Sequence, residues 1–256
     1  MAPGSTTRPR KTRADLALVE RGLAPSREKA RALILAGDVL VDERPLAKAG
    51  DLVPENAVLR LRREPLPYVS RGGLKLEKAL DAFALDVRGC VALDIGASTG
   101  GFTDCLLQRG AARVHCVDVG QAQLHEKIAR DPRVVVHDRT NVRHLTPELL
   151  PERPTVVVID VSFISLRLVL PSVVMVAAPE AEVVALVKPQ FEVGREHVGK
   201  GGIVRDEQAR LRAVETTAQA AAALGFGVRG QITSPITGAK GNVEFLVHLR
   251  SPRSPA

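Results

Sequence analysis

The first quarter of the chain combines helical and strand-like patterns of apolar residues. Residues 13–22 and 26–36 carry apolar side chains at helical spacing, and a glycine marks the end of each stretch, as is typical of a helix C-terminus. After Gly37 the apolar residues come in short runs around polar turns, at 39–41 and 58–61. This part of the chain is therefore predicted to be a small α+β unit.

From residue 70 onward the pattern becomes a regular alternation of strands and helices. Runs rich in Val, Ile and Leu predict strands at 91–95, 113–118, 133–137, 155–161, 183–188, 227–233 and 243–249. Helical spacing predicts helices at 74–83, 102–109, 122–130, 146–150, 164–177 and 206–224. Several strands are apolar at almost every position, as expected when helices cover both faces of a sheet. Residues 70–250 are thus predicted to form a doubly wound α/β domain with a mostly parallel, seven-stranded sheet.

The positive charge is concentrated in the smaller unit. The whole chain has 36 Lys and Arg against 29 Asp and Glu, and residues 1–63 alone hold 13 basic against 8 acidic residues. This favours a nucleic-acid-binding module joined to a nearly neutral domain, and a solvated arginine-rich surface is the alternative. Residues 1–12 and 251–256 are predicted to be flexible tails. The two prolines of residues 64–69 predict a stiff, extended linker.

Membrane, secreted and metal-dependent classes are not favoured. The longest nearly apolar stretch, 166–178, contains Arg167 and Pro171 and is shorter than the roughly 20 residues of a spanning helix. No apolar segment of a secretory signal follows the N-terminal arginines, so a cytoplasmic location is expected. The three cysteines are predicted to be reduced, and because the six histidines are scattered, no metal site is expected.

A glycine-rich segment follows the first strand of the α/β domain directly before a helix. In doubly wound sheets ligands bind beyond the carboxyl ends of the strands, and glycines let the backbone approach them closely. Asp118, 22 residues after Gly96, is placed to accept hydrogen bonds from a ribose diol. The spacing is not that of a dinucleotide-binding loop, so an adenosine-containing cofactor without a pyrophosphate turn is predicted. A glycine-rich turn that serves packing alone is the alternative.

With an acid two residues before its first glycine, this loop resembles the S-adenosylmethionine motif of class I methyltransferases, and S-adenosyl-L-methionine is the expected cofactor. The residues predicted to bind it are Asp94, Gly96, Ala97, Ser98, Thr99, Gly100, Gly101, Phe102, Asp118, Val119, Thr140, Asn141 and Asp160. The polar segment 138–141 follows the third strand, where such methyltransferases contact adenine. An exposed polar loop is the alternative explanation for it.

Four charged residues stand out near predicted strand ends. Asp160 and Lys188 each end a strongly apolar strand, where a charge is costly for stability and close to the ligand edge. Lys75 lies near the start of a helix, and Glu244 lies inside the last predicted strand. Taken individually, Lys75 is explained equally well by a salt bridge as by a role in the site, and Glu244 equally well by a strand position that faces solvent. Together the four resemble the Lys-Asp-Lys-Glu tetrad of FtsJ-type ribose 2′-O-methyltransferases.

A ribose hydroxyl must lose its proton as the sulfonium methyl group is attacked in line, and a neutral lysine can remove that proton. We hypothesise that Lys188 is this base and that Lys75, a second cation, favours its neutral form and orients the hydroxyl. Asp160 and Glu244 then position the two lysines.

Longer strings extend the resemblance to most of the chain. Residues 13–63, with Ser-Arg-x-x-Ala at 26–30, resemble the S-four type of RNA-binding domain. The strings at 70–76, 94–103, 160–166, 187–194 and 241–244 are similar to the TlyA family, which joins such a domain to an FtsJ-type methyltransferase and is often labelled haemolysin. The resemblance implies 2′-O-methylation of ribosomal RNA within a ribosomal subunit, at a cytidine of 23S and also of 16S rRNA. A monomer is expected.

The residues predicted to bind RNA are Arg13, Arg27, Lys29, Arg31, Arg62, Arg63, Arg71, Phe163, Phe191, Arg195 and Lys200. The two phenylalanines could stack on a flipped nucleotide, and core packing is the alternative. The loop at 194–202 is either a mobile RNA clamp or a disordered connection. Two other classes remain: an RNA-binding assembly factor with an inert methyltransferase domain, and a membrane-active haemolysin, for which the sequence offers no spanning or amphipathic segment.

Overall fold

The computed structural model describes residues 10–62, 66–238 and 240–253. The chain divides into two compact units, Met1–Pro65 and Leu66–Ala256. Most of the predicted N-terminal tail, Arg63 and the last three residues lie outside the described part of the chain. Within the predicted linker, Tyr68 is 7% exposed, and its hydroxyl donates a hydrogen bond of 2.8 Å to Glu77.

The described part of the smaller unit contains the two predicted helices and two small antiparallel sheets, of which the sequence pattern predicted one. Its helices are α1 (Ala14–Glu20) and α2 (Arg27–Leu35). Its strands are β1 (Lys11–Arg13), β2 (Val39–Val41), β3 (Arg44–Pro45), β4 (Leu52–Pro54) and β5 (Leu59–Leu61), paired as β1-β4 and β3-β2-β5. Ser26 caps α2 by accepting a hydrogen bond from the Lys29 amide at 3.2 Å.

A buried carboxylate organises the arginines of this unit. Asp15 is completely buried, and its oxygens lie 3.0 to 3.3 Å from nitrogens of Arg13, Arg27 and Arg31. The hydrogen bond from Arg13 is the main cause that holds the pKa of Asp15 well below its usual range. The three guanidinium groups remain about half exposed, so one internal anion fixes three cations that still face solvent.

The larger unit is a seven-stranded sheet covered by helices. Its strands are β6 (Val91–Ile95), β7 (Arg113–Val117), β8 (Val134–His137), β9 (Val156–Ile159), β10 (Glu182–Val187), β11 (Gly227–Thr233) and β12 (Phe245–Arg250). Its helices are α3 (Gly72–Ala82), α4 (Gly101–Gln108), α5 (Glu126–Ala129), α6 (Leu170–Val176), α7 (Pro189–Glu192) and α8 (Glu207–Ala223). The strand order is β11-β12-β10-β9-β6-β7-β8, and only β12 runs against the others. The predicted fold class is confirmed.

The apolar strand runs exist because both faces of this sheet are buried. Along β9, Val157 and Ile159 pack into one hydrophobic cluster, while Val156 and Val158 pack into the cluster on the opposite face. Among the described residues, no helix is both long and apolar enough to cross a membrane.

Three predicted helices are shorter than their sequence patterns suggested. The stretch 122–130 is helical only in α5, and 146–150 forms a single 3₁₀ turn, Pro147–Leu149, without a side-chain cap from Thr146. The stretch 164–177 splits into a 3₁₀ turn, Leu166–Leu168, and then α6. Proline explains the split, because Pro171 has no amide hydrogen for an interior helical bond and is tolerated only in the first turn.

We expect Asp15→Ala to destabilise the smaller unit by about 1–3 kcal/mol, because it removes several charge-assisted hydrogen bonds from a buried acceptor. The control is Glu43→Ala, which removes an ion pair with Arg60 in which both side chains are about half exposed or more. Its expected cost is much smaller, because solvent screens an exposed ion pair. Urea unfolding of the full chain, followed by probes in each unit, measures both. Equal effects of the two substitutions would contradict the role assigned to Asp15.

Candidate active site

Polar side chains collect at the edge of the sheet where the parallel strands end. Asp160 follows the last residue of β9, and Lys188 follows the last residue of β10. Because β12 is antiparallel, its first residue Phe245 pairs with Val187, and Glu244 lies at the same edge. The prediction that Glu244 lies inside the strand is wrong. The chain turns into α7 after Lys188, so no partner strand continues the ladder beyond Val187.

The four charged residues form two ion pairs on the wall of one cavity. Lys75 Nζ lies 2.6 Å from Glu244 Oε2, and these side chains are 10% and 3% exposed. Lys188 Nζ lies 2.6 Å from Asp160 Oδ1 and donates a hydrogen bond of 2.9 Å to Ser162 Oγ. All four line a cavity of about 600 Å³, which is within the usual range of ligand pockets. Each buried ammonium group therefore has its own carboxylate partner.

The glycines after β6 allow close approach of neighbouring backbone. Gly96 has φ of +84°, and a Cβ atom there would lie 2.5 Å from the carbonyl oxygen of Asp160. A Cβ atom at Gly101 would lie 2.1 Å from Ser70 Oγ, while one at Gly100 would meet Ile128 at 3.1 Å. Gly100 and Gly101 thus serve the packing of α4 as well as the shape of the loop. The loop residues that line the cavity of about 600 Å³ are Gly96, Ala97, Ser98, Thr99, Gly101 and Phe102.

A second cavity of about 440 Å³ adjoins the first along the sheet edge. Gly96, Ser98 and Asp160 line both cavities. The predicted ribose and adenine contacts Asp118, Val119, Thr140 and Asn141 line the second one. Each Asp118 oxygen accepts one backbone hydrogen bond, from Ser98 at 2.9 Å and from Gly120 at 2.8 Å. A carboxylate oxygen accepts more than one hydrogen bond, so Asp118 can also bind a diol.

Asp94 occupies a different place from the other predicted cofactor residues. It is fully buried and is not among the described residues that line either cavity. Its Oδ2 accepts a hydrogen bond of 2.6 Å from Thr103, while its Oδ1 has no partner among the described residues. Burial raises the pKa of Asp94 to about 7, although the Thr103 hydrogen bond acts against this. The structure therefore places Asp94 beneath the loop, where it can act on a ligand only through the loop's position.

The two predicted aromatic contacts lie together at the cavity. Phe163 is 91% exposed, and its ring centroid is 5.2 Å from that of Phe191. Core packing is therefore the wrong explanation for Phe163. Its φ of +65° is in the left-handed region, which is unfavourable for a bulky side chain. Both rings line the cavity that contains the two ion pairs.

The basic residues predicted to bind RNA are distributed over both units. Arg71 lines the larger cavity, whereas Arg195 and Lys200 are exposed and are not among its described lining residues. In the smaller unit, Lys29 and Arg62 are exposed, and the remaining arginines surround Asp15 as described above. Arg63 lies outside the described residues.

The loop at 194–202 is a folded segment, so the alternative of a disordered connection is wrong. It contains a 3₁₀ turn, Arg195–His197, and a bridge between Gly199 and Ile203. The side chain of Asn242 is 3% exposed. It donates a hydrogen bond of 2.8 Å to the Gly202 carbonyl and accepts one of 3.0 Å from the Val204 amide. The side chain of Asn242 thereby holds the loop against the segment that carries Glu244.

Several polar residues of the larger cavity were not among the predicted site residues: Ser70, Ser162, Gln190, Thr237, Lys240 and Asn242. The strings that carry the family resemblance include Ser70, Ser162, Gln190 and Asn242. Membership of those strings was the sequence signal that could have identified these four residues. Thr237 and Lys240 lie in a turn with no periodic pattern, so only the folded chain identifies them.

Comparisons with known proteins agree with this arrangement. Residues 68–251 match a family model described as FtsJ-like methyltransferase, and residues 12–59 match that of the S4 domain. The 16S/23S rRNA (cytidine-2′-O)-methyltransferase TlyA of Mycobacterium tuberculosis is 49% identical over 94% of this chain and 91% of its own length. Hemolysin A of Brachyspira hyodysenteriae is 41% identical over 89% of this chain and 95% of its own length. The solved structure of a hemolysin-labelled protein from Streptococcus thermophilus is 45% identical and covers 97% of this chain and 91% of its own chain. Its TM-score is 0.74.

We expect Asp94→Asn to change how stability depends on pH. With a folded pKa of about 7 and a usual value of 3.8, the carboxyl stabilises the fold when protonated. This contribution is complete below the unfolded pKa and is lost as pH rises through about 7. Asparagine resembles the protonated form at every pH. As pH rises from about 5 to 8, the free energy of unfolding of the variant should therefore increase by on the order of 3 kcal/mol relative to that of wild type.

Urea unfolding of both proteins at several pH values measures this difference. The control is Asp131→Asn: its hydrogen bond from Arg133 lowers the pKa of Asp131, so its contribution changes only at more acidic pH. Stability curves of wild type and Asp94→Asn that run parallel from pH 5 to 8 would contradict the prediction.

Proposed function

This chain belongs to the FtsJ-like methyltransferase family, and we propose that it transfers the methyl group of S-adenosylmethionine to a ribose 2′-hydroxyl of ribosomal RNA. The observation that carries the proposal is the pair of lysine–carboxylate contacts on one cavity wall beside the glycine-rich loop. The Mycobacterium tuberculosis relative is named for this reaction at cytidine, in both 16S and 23S rRNA. We propose the same base and the same two RNAs as substrates, and hence a cytoplasmic location.

The described residues fit S-adenosylmethionine. The smaller cavity offers the Asp118 carboxylate for a ribose diol and the exposed side chain of Val119 for an apolar ring face. Thr140 and Asn141 add polar groups on the same wall. The cavities share the wall at Gly96, so one ligand can extend from the adenosine side to the ion pairs. When bound, this cofactor supplies an electrophilic methyl group.

Lys188 is the proposed general base. A ribose hydroxyl is a weak nucleophile, and its proton must leave as the methyl group is attacked. Asp160 and Ser162 hold the Lys188 Nζ atom at the cavity wall, 2.6 and 2.9 Å away. Glu244 holds Lys75 in the same way, and we propose that Lys75 orients the hydroxyl. In this proposal one lysine removes the proton and the other positions the oxygen.

We propose that the smaller unit and the cavity rim each bind RNA. Residues 12–59 match the S4 domain, and the cations proposed to contact phosphates there are Arg13, Arg27, Lys29, Arg31 and Arg62, all exposed to solvent. Arg71 is the proposed cation of the rim, and the exposed ring of Phe163 is the proposed stacking surface for a flipped base. Phosphate contacts position the RNA without reading its sequence, whereas the cavity selects the nucleotide.

We expect both Lys188→Ala and Lys188→Arg to lower the methyl-transfer rate by at least about 100-fold, the usual scale of general base catalysis. Arginine keeps the positive charge but does not deprotonate, so this pair of variants separates a base from an electrostatic role. The control Lys78→Ala changes an exposed lysine on the helix that carries Lys75. The measurement is transfer of labelled methyl to unmodified ribosomal subunits and to naked RNA, with the labelled atom mapped.

Wild-type activity of Lys188→Arg would contradict the base assignment. Absence of label from the wild-type protein, with S-adenosylmethionine bound, would contradict methyl transfer and favour an RNA-binding assembly factor. Label on a base nitrogen or carbon instead of a ribose oxygen would reject the 2′-O assignment alone.

We expect Arg195→Ala combined with Lys200→Ala to reduce the salt dependence of RNA binding. In a plot of the logarithm of the RNA-binding constant against the logarithm of salt concentration, removal of one phosphate-binding side chain should reduce the slope by about 0.7 to 0.9. Both side chains are exposed on the loop that Asn242 fixes beside the cavity. The control is Arg253→Ala, since Arg253 is exposed beside Glu180 near the amino end of β10, at the opposite edge of the sheet. An unchanged slope in the double variant would exclude these two residues from the interface.

A further inference from the structure

Two loops carry most of the proposed active site, and they are joined at two separate places. The segment after β9 contains Asp160, Ser162 and Phe163, and the segment after β10 contains Lys188 and, in α7, Phe191. The first junction is the contact of Lys188 with Asp160 and Ser162. The second lies beyond Phe163, where the β9 loop enters its 3₁₀ turn.

Glu192, the last residue of α7, makes the second junction. Its Oε2 accepts a hydrogen bond of 2.6 Å from the Ser165 hydroxyl, and its Oε1 accepts one of 2.8 Å from the Leu166 amide. Burial raises the pKa of Glu192 above its usual value, while these two hydrogen bonds act in the opposite direction. Glu192 is not among the described residues that line either cavity, so its effect on a substrate must pass through the loop that it holds.

Phe163 lies between the two junctions in a conformation that it does not favour. Its backbone is left-handed, with φ of +65°, and its side chain is 91% exposed, so burial does not compensate for the unfavourable backbone. Such a residue keeps its position only when the surrounding structure fixes it. The neighbouring ring of Phe191 is one residue before Glu192, at a centroid distance of 5.2 Å. One short helix therefore supplies both the neighbouring ring and the carboxylate that fixes the loop.

We propose that Glu192 is a positioning residue for methyl transfer, which holds Phe163 in place to stack on the target base through its hydrogen bonds to Ser165 and Leu166. The proposal rests on the proposed function, because it assumes that a base enters the larger cavity. Stacking on an aromatic ring orients a flipped nucleotide and thereby its ribose hydroxyl. Loss of Glu192 releases the strained loop and lets Phe163 leave the stacking position.

The experiment compares Glu192→Ala, Glu192→Gln, Phe163→Ala and the double variant Phe163→Ala with Glu192→Ala. We expect Glu192→Ala to lower kcat about 10- to 100-fold, the range that stacking on one ring accounts for, with the KM for RNA changed less than about threefold. Phosphate contacts elsewhere set most of the RNA affinity, which explains this split. Glutamine can still accept from the Leu166 amide and hydrogen-bond to Ser165, so Glu192→Gln should keep nearly wild-type kcat.

The double variant distinguishes positioning from general support of the fold. If Glu192 acts through Phe163, the double variant is no slower than Phe163→Ala alone, whereas independent effects multiply. S-adenosylmethionine affinity should remain at the wild-type value in Glu192→Ala. Multiplied effects, or weakened cofactor binding together with a lower midpoint of unfolding, would overturn the proposal in favour of a structural role.

A second measurement does not depend on catalysis. Protein labelled with fluorophenylalanine gives a ¹⁹F signal for Phe163, assigned by its absence in Phe163→Ala, and we expect Glu192→Ala to shift or broaden it. The control Asp131→Ala removes a carboxylate that fixes a turn at the amino end of β8, at the opposite edge of the sheet, and should leave the signal unchanged. An unchanged Phe163 signal in Glu192→Ala would overturn the proposal even if the methylated RNA is a different one. Absence of methyl transfer by wild type, with a shifted signal, would reject the proposed function alone.

Discussion

The close parallel pairing of β6 with β9 at the centre of the sheet is the constraint on which the site depends. Ile95 pairs with Ile159, and the next residues, Gly96 and Asp160, approach so closely that any Cβ atom at position 96 would overlap the Asp160 carbonyl oxygen. This contact makes the glycine-rich loop and the Asp160 loop one continuous wall between the two cavities. A single ligand can therefore contact both the cofactor side and the ion-pair side, since Gly96 and Asp160 line both cavities.

The four mostly buried charges at this edge form two pairs of opposite charge. The two ammonium groups and two carboxylates are mostly buried, and an isolated charge in such a place would be strongly destabilising. Pairing offsets part of that cost and also fixes where the nitrogen atoms lie, which a reaction that moves one proton requires. Asp94 shows the other solution. It lacks a cationic partner among the described residues, and burial raises its pKa to about 7, so that the carboxyl is largely neutral at mildly acidic pH.

Much of the fold was predictable because buried strands must be apolar at nearly every position. The strand predictions therefore agree with the structure to within a few residues. Helices interrupted by proline were overestimated, because the periodicity of apolar residues continues across Pro171 although the hydrogen bonds do not. Glu192 gave no signal beyond its place in a family string, since its partners Ser165 and Leu166 come from another strand end.

The sequence alone determined the residue types of the chemistry: two lysines, two carboxylates, a glycine-rich loop and an acid 22 residues after its first glycine. Only the tertiary structure decided which partner each lysine takes. Lys75 and Glu244 are 169 residues apart in the chain, and they meet because β12 enters the sheet in reverse beside β10. The same strand order placed Asp94 beneath the loop and left Phe163 exposed. Such long-range pairings depend on which apolar faces pack together, and no local pattern encodes that choice.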